Sequence, residues 1–290
     1  RLGDNIKTAY IDYGNLKSIA EAGIKSLDPL RSKGVTRQIW EAFFKSLDGT
    51  SVEYEVIFAG NAEFQNLILP ENFKYIKTSN IKPAQCYEIA RRHATGETVV
   101  WVADDCEFPN DVIGKAYNYW KSKNNEKLIL SIQTKESGYG LPIGTLFNMK
   151  NHSFFGYRPE TPLMAPLGLM SREYLEKLGG IDRRYICGQY ENDIVMRCYV
   201  DGGQVEIFGD KDNFIDIDHL KKSEKSEESP GQYLQRPFAL GYPSDRIVLQ
   251  RSWCKGNQVL KNRTDSFEPF VDDETLLTKS QSNNLTNLWV

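Results

Sequence analysis

The chain has 290 residues, a formal net charge of −3 and hydrophobic residues at 40% of its positions. This length and composition are typical of a globular protein with one large core, or one core and an extension. The balanced charge excludes a strongly basic surface, so it supports neither nucleic acid nor an anionic membrane as a partner. No run of 18 apolar residues and no signal peptide is visible, so no membrane span is expected in this chain.

The five cysteines are odd in number and form no CxxC pair. This pattern argues against a disulfide framework and against a structural zinc site, and it favours a reducing compartment. We therefore expect a cytoplasmic location, or association with the cytoplasmic face of a membrane.

Up to residue 133 the predicted elements alternate between strands and helices. Short apolar runs indicate the strands, and apolar residues at a helical period indicate the helices. In chain order they are strand 6–11, helix 16–27, helix 39–47, strand 54–60, strand 73–77, helix 83–93, strand 98–102, helix 109–123 and strand 128–133. Such alternation predicts a mainly parallel sheet covered by helices.

The second half of the chain has fewer regular patterns. The segment 137–166 is rich in Gly and Pro with scattered aromatic residues, which predicts an irregular loop or hairpin near the site. Helices are predicted at 171–178 and from about 190 to 200, and a late strand at 205–208. The segment 221–228 consists almost entirely of charged residues and serines, and we expect it to be mobile when the site is empty.

An acidic cluster follows the predicted strand 98–102. It consists of Asp104, Asp105 and Glu107. Open α/β sheets bind ligands beyond the carboxyl ends of their strands, which is where these acids lie. Carboxylates this close repel one another unless a cation neutralises them, and hard oxygen ligands suit Mg²⁺ or Mn²⁺, which would hold a diphosphate. The alternative is a solvated turn that caps the next helix.

Three blocks of sequence occur in a fixed order between residues 94 and 197. The first is ATGE at 94–97, followed by the apolar run, the acidic cluster and Pro109. The second is GGIDRRY at 179–185, and the third is YENDIVMR at 190–197. In this order and spacing the blocks resemble those of the GT-A-fold glycosyltransferases, in particular the inverting, family-two-like branch with a DxD-type metal site.

The resemblance implies a GT-A fold: a Rossmann-like α/β architecture with a mainly parallel mixed sheet flanked by helices, and a C-terminal extension. It implies a catalytic domain at 1–220, with a donor half at about 1–110 and an acceptor half at about 111–220. Residues 221–290 are expected to form a flexible loop and an extension packed on the same domain.

The activity that the resemblance implies belongs to glycan biosynthesis. A hexosyl or pentosyl group would move from a nucleotide-diphosphate sugar to a hydroxyl of a glycan or other acceptor. The reaction would depend on Mn²⁺ or Mg²⁺ and would invert the anomeric centre with a carboxylate base.

Metal ligands and the base are also implied by the resemblance. Asp104 and Asp105 would hold the metal and the diphosphate, and His219 would be a further metal ligand. Glu191 falls on the usual position of the catalytic base, and Asp193 on the second acid of that block. Which of Glu191 and Asp193 is the base stays open, and so do structural roles for both of them, as caps of the helix, and for His219. Asp193 is also spaced to pair with Arg197 at i+4.

The nucleotide is expected to meet the ends of the early strands. The candidates are Tyr13 after the first strand, and Asn61 and Glu63 after the second. Arg91 and Arg92 either reach the diphosphate or form an exposed helix face, and we expect exposure for one of them. Three alternative functions stay open: a nucleotidyltransferase, a non-catalytic sugar- or nucleotide-binding module, and a retaining GT-A enzyme.

Overall fold

The computed structural model describes residues 8–9, 40–60, 70–77, 83–103, 106–138, 141–146, 162–185, 188–218, 242–256 and 258–270. The predicted helix 16–27, the segment 221–228 and most of the predicted strand 6–11 lie outside these residues. None of the described helices has the length and apolar character that a membrane crossing requires.

Thirteen strands lie in the described part of the chain. They are β1 (Thr8–Ala9), β2 (Val56–Gly60), β3 (Phe73–Lys77), β4 (Thr98–Trp101), β5 (Cys106–Glu107), β6 (Leu128–Ile132), β7 (Thr134–Gly138), β8 (Leu141–Leu146), β9 (Gly168–Ser171), β10 (Gln204–Phe208), β11 (Ile215–Asp218), β12 (Cys254–Lys255) and β13 (Gln258–Val259). The α-helices of the same part are α1 (40–46), α2 (Pro83–His93), α3 (Val112–Ser122), α4 (Arg172–Lys177), α5 (Tyr190–Val200) and α6 (Tyr242–Trp253).

The central sheet is mixed. Strands β1, β2 and β3 pair in parallel, as do β6 and β10, whereas β9 lies between β4 and β6 and is antiparallel to both. The hydrogen-bonded orders are β3-β2-β1 and β4-β9-β6-β10, and β1 lies beside β4, so the two groups of strands adjoin. The predicted α/β class with a mainly parallel mixed sheet is confirmed, and β9 is a strand that the sequence pattern did not reveal.

A second sheet has the order β5-β11-β7-β8. Strand β7 follows β6 after one residue, so the two sheets share a continuous stretch of chain. Strands β7 and β8 form an antiparallel hairpin, which is the hairpin alternative predicted for part of 137–166. Residues 147–161 of that segment lie outside the described residues.

Apolar side chains fill both faces of the central sheet. In β4, Val99 and Trp101 join the cluster that contains α2 and α5, whereas Val100 joins the cluster that contains α1 and α3. A strand between two helical layers must be apolar at every position. This explains the continuous apolar run before the acidic cluster.

The predicted helix 109–123 begins later than expected. Residues Pro109–Asp111 form a 3₁₀ turn, and α3 starts at Val112. Both Asn110 and Asp111 have φ of 57°, which is incompatible with a continuous α-helix. Asp111 is the N-cap, since its Oδ1 accepts a hydrogen bond from the Gly114 N–H at 3.2 Å.

The C-terminal extension contains regular structure that its sequence pattern did not predict. Helix α6 and the β12–β13 hairpin occupy residues 242–259. Leu249, Trp253 and Phe270 are buried in the same cluster as residues of α2 and α5. The described part of the extension, residues 242–256 and 258–270, therefore contributes to the core.

Candidate active site

Strand β4 leads directly to the acidic cluster. The Tyr87 hydroxyl on α2 donates a hydrogen bond of 3.0 Å to the carbonyl oxygen of Val102, the residue after the strand. Asp104 and Asp105 lie outside the described residues, and Cys106, which follows them, is buried. The approach to the acid pair is thus fixed by a buried hydrogen bond.

The strand after the acid pair is joined to the strand before His219. Cys106 lies opposite Ile217 and Glu107 lies opposite Asp216 in the antiparallel pairing of β5 and β11. His219 itself lies outside the described residues. Within the described residues, no three acidic, His or Cys side chains are grouped to hold a metal.

Glu107 lies in a short strand and does not cap the following helix. It belongs to β5, two residues before Pro109, and Asp111 caps the following helix instead. The alternative that the acidic cluster caps the next helix therefore does not hold for Glu107, because Asp111, four residues later, supplies the cap.

Glu191 lies in the first turn of α5, where a carboxylate is favoured by the helix dipole. The side chain is partly buried, and burial raises the pKa of Glu191 to about 7. Hydrogen bonds from the backbone N–H groups of Glu191 and Gln189 oppose the rise in pKa, and the charge of Asp245 adds to it. A carboxyl group with this pKa can accept a proton from a hydroxyl near neutral pH.

Two tyrosine rings in tilted contact connect Glu191 to the end of β4. Tyr190, the neighbour of Glu191, has its ring centroid 4.8 Å from that of Tyr87. Tyr87 in turn holds the carbonyl of Val102. The first and third sequence blocks are therefore brought together by contacts between α2, α5 and the strand end.

Asp193 faces a different environment from Glu191. It is fully buried, and its carboxylate accepts hydrogen bonds from Arg197 Nε at 2.8 Å and from Trp253 Nε1 at 2.8 Å. Arg263 Nη1 lies 3.3 Å from its Oδ1. The predicted pairing of Asp193 with Arg197 at i+4 is confirmed.

The second sequence block belongs to the same buried network. Asp182 is fully buried and accepts hydrogen bonds from Nε and Nη2 of Arg184 at 3.0 and 2.8 Å. Burial raises the pKa of Asp182 to about 6, with the charge of Asp193 adding to the rise and Arg184 opposing it. Arg263 contacts Asp182 and Asp193, so the network links this block to α5 and to the C-terminal extension.

Arg91 and Arg92 are both engaged by a buried carboxylate. Glu88 accepts hydrogen bonds from Arg91 Nε at 2.9 Å and from Arg92 Nε at 2.8 Å. Arg92 also donates to the Phe270 carbonyl at 2.9 Å. The expected exposure of one of these arginines is wrong, because neither is exposed and both pair with Glu88. The contact of Arg91 with a diphosphate stays a prediction.

The remaining predicted nucleotide contacts, Tyr13, Asn61 and Glu63, lie outside the described residues. A small pocket of about 30 Å³ lies beside β4, with Tyr87, Trp101 and Leu175 among its lining residues. A space of this size holds about one water molecule, so it cannot admit a nucleotide-sugar.

Three residues that shape this region lie outside the sequence motifs. Tyr87 holds the strand end, Trp253 binds Asp193, and the carboxylate of Asp245 accepts a 2.8 Å hydrogen bond from the Gly188 N–H. Their partners lie between 15 and 60 positions away in the chain. Local sequence therefore carried no signal for these three residues, and only the fold reveals them.

Comparisons with known proteins identify the architecture. No known family profile matches the chain, and no curated protein sequence matches it. The chain is similar in structure to the 1–349 form of TarS from S. aureus, a GT-A glycosyltransferase, with a TM-score of 0.51 and 13% identity over 82% of this chain and 73% of that chain.

The chain has the GT-A fold. Structures of the same TarS form in complex with UDP-GlcNAc and with UDP are also similar, each with a TM-score of 0.48. Their identities are 12% and 13%, over 82% of this chain and 74% of each of those chains.

Proposed function

We propose that this protein is a metal-dependent, inverting glycosyltransferase that moves a sugar from a nucleotide-diphosphate sugar to an acceptor hydroxyl. One observation carries the proposal. On a GT-A fold, a carboxyl group with a pKa of about 7 lies on the helix that packs, through Tyr190 and Tyr87, against the strand end leading to Asp104 and Asp105.

Glu191 is the proposed base. In an inverting transfer the acceptor oxygen bonds to the anomeric carbon as the bond to the diphosphate breaks, and the hydroxyl proton must go to a base. The Glu191 carboxylate takes that proton at one of its oxygens. Asp193 is assigned a structural role, because its carboxylate is fully buried and already binds Arg197 and Trp253.

Asp104, Asp105 and His219 are the proposed metal ligands. Two carboxylates and an imidazole are a donor set that suits Mn²⁺, and the carboxylates also suit Mg²⁺. The pairing of β5 with β11 supports the assignment, since it joins the strand that follows Asp105 to the strand that precedes His219. When bound, the cation would neutralise charge on the departing diphosphate.

A transfer assay with a panel of nucleotide-sugars tests the proposal. UDP-GlcNAc is a suitable first donor, because TarS is crystallised in complex with it. Glu191→Gln should lower kcat by about 10²–10⁴-fold, the usual contribution of a general base, and leave donor binding intact. The matched control is Glu173→Gln, which changes an exposed Glu at the same position of α4. Equal loss of activity in both variants, or none in Glu191→Gln, would overturn the assignment.

The reaction products distinguish the proposed function from the three alternative functions. A glycosyltransferase releases a nucleoside diphosphate, whereas a nucleotidyltransferase that forms a nucleotide-sugar releases pyrophosphate. A binding module releases neither from a bound donor. The anomeric configuration of the product distinguishes inversion from retention.

A further inference from the structure

We infer that the C-terminal extension completes the active site, with Asp245 of α6 as a positioning residue for Glu191. This inference deepens the proposed function and rests on it for the role of Glu191 as base. The contacts between α6 and the beginning of α5 carry it.

Asp245 fixes the point at which the chain enters α5. Its side chain is fully buried, and its Oδ2 accepts a hydrogen bond of 2.8 Å from the Gly188 N–H. The next residue is Gln189, the N-cap of α5, which has φ of 66°. A residue other than Gly or Asn in this left-handed region is strained and persists only when its surroundings hold it. The bond from Gly188 to Asp245 supplies such a restraint, three residues before Glu191.

The extension also holds α5 on the other side of Glu191. Trp253 Nε1 donates to Asp193 at 2.8 Å, and Arg263 Nη1 lies 3.3 Å from the same carboxylate oxygen. Glu191 therefore lies between two anchor points, Gly188 and Asp193, and both anchors are made by the extension. Buried Leu249 and Trp253 add apolar packing in the same cluster as Ile194.

The charge of Asp245 acts on Glu191 as well. From α5, the backbone N–H groups of Gln189 and Glu191 stabilise the ionised form, and from α6 the Asp245 carboxylate disfavours it. Asp193, the other acid in the first turn of α5, has its own partners in Arg197, Trp253 and Arg263. A second carboxylate near a buried carboxyl group strengthens that group as a base, because it favours the protonated state.

An NMR titration of the Glu191 side-chain carboxyl carbon tests the inference without requiring turnover. Its resonance is assigned by its absence from Glu191→Gln. In Asp245→Asn, which keeps an oxygen acceptor for Gly188 but removes the charge, the midpoint of the Glu191 titration should move to lower pH. Arg246→Gln, an exposed position on the same helix, should leave the midpoint unchanged. Unchanged midpoints in both variants would overturn the inference.

A kinetic readout separates positioning from general damage to the fold. Asp245→Asn should move the acidic limb of the kcat/KM profile to lower pH. Asp245→Ala also removes the acceptor for the Gly188 N–H, so it should lower the kcat plateau by about tenfold or more relative to Asp245→Asn, since small misplacements of a catalytic group are costly. If Asp245→Asn does not fold, Asp245→Ser is the second variant, because its hydroxyl can also accept from Gly188. Absence of transfer in the wild-type protein would refute the proposed function, whereas the titration would still decide the contact between Asp245 and Glu191.

Discussion

Replacing Glu191 with Gln should stabilise the protein at alkaline pH while it lowers kcat by about 10²–10⁴-fold. Burial raises the pKa of Glu191 from an ordinary 4.5 to about 7. The folded protein therefore binds this proton more tightly than the unfolded chain does. The resulting destabilisation is absent below pH 4.5, grows between pH 4.5 and 7, and is complete above pH 7.

The size of the effect follows from the change in pKa. A rise from 4.5 to about 7 corresponds to about 3 kcal/mol of unfolding free energy, since each pKa unit is worth about 1.4 kcal/mol. This value is an upper bound, because Glu191 is only partly buried. At about 2–4 °C per kcal/mol, the thermal midpoint at pH 8 should rise by several degrees.

Unfolding measurements at pH 8 and pH 5 check this prediction in the wild-type protein and in the Glu191→Gln and Glu173→Gln variants. Both substitutions remove a carboxylate from the first turn of a helix, so they lose the same favourable interaction with the helix dipole. Only Glu191→Gln should gain stability at pH 8, and most of the gain should vanish at pH 5. A gain of equal size at both pH values, or none relative to Glu173→Gln, would refute the burial of a charged Glu191.

Three further predictions concern the surroundings of Glu191. Asp193→Asn should lower the unfolding free energy by about 3 kcal/mol or more in urea titrations, because it breaks a buried ion pair with Arg197; a change below about 1 kcal/mol would contradict the structural role of Asp193. Tyr87→Phe should lower the unfolding free energy by about 1–3 kcal/mol, because it leaves the buried Val102 carbonyl without the tyrosine hydroxyl. A variant as stable as the wild type would contradict that contact. The kcat/KM of wild type should rise with pH through a midpoint near 7, the pKa of Glu191; a flat profile between pH 5.5 and 8.5 would exclude Glu191 as the titrating base.

The fold was predictable where the local sequence pattern indicates a helix or a strand. The alternating aromatic and lysine residues at the start of β3, the apolar run of β4 and the periodic pattern of α2 indicated their locations, because half-buried strands, buried strands and amphipathic helices need those patterns. The Ser171 cap of α4 was predictable for the same reason. Its Oγ accepts a hydrogen bond from the Tyr174 N–H, as the position before a helix requires.

Features set by tertiary contacts were not predictable. Strand β9 has only four residues, and its pairing with β4 and β6 depends on partners far away in the chain. The delayed start of α3 depends on the conformations of Asn110 and Asp111, which a helical period cannot reveal.

In the candidate site, too, the sequence predicted which residues matter, whereas their roles depend on tertiary contacts. The motif spacing identified Glu191 and Asp193 together, but their different roles became visible only with the fold. Burial against Trp253 and Arg263 assigns Asp193 to a structural network. Burial raises the pKa of Glu191 towards neutrality, and the charge of Asp245 adds to the rise. Trp253, Arg263 and Asp245 all belong to the C-terminal extension, whose composition gave no motif.

Donor binding tests the central claim most directly. The midpoint of thermal unfolding is measured with a panel of nucleotide-sugars, each with Mn²⁺, Mg²⁺ or a chelator, since a ligand that binds the folded state raises the midpoint. The proposed function predicts that one nucleotide class stabilises the wild type only with metal, that Asp105→Ala loses this effect, and that Glu191→Gln keeps it. No stabilisation by any nucleotide-sugar in the presence of Mn²⁺ would contradict the assignment of a nucleotide-sugar site to this fold.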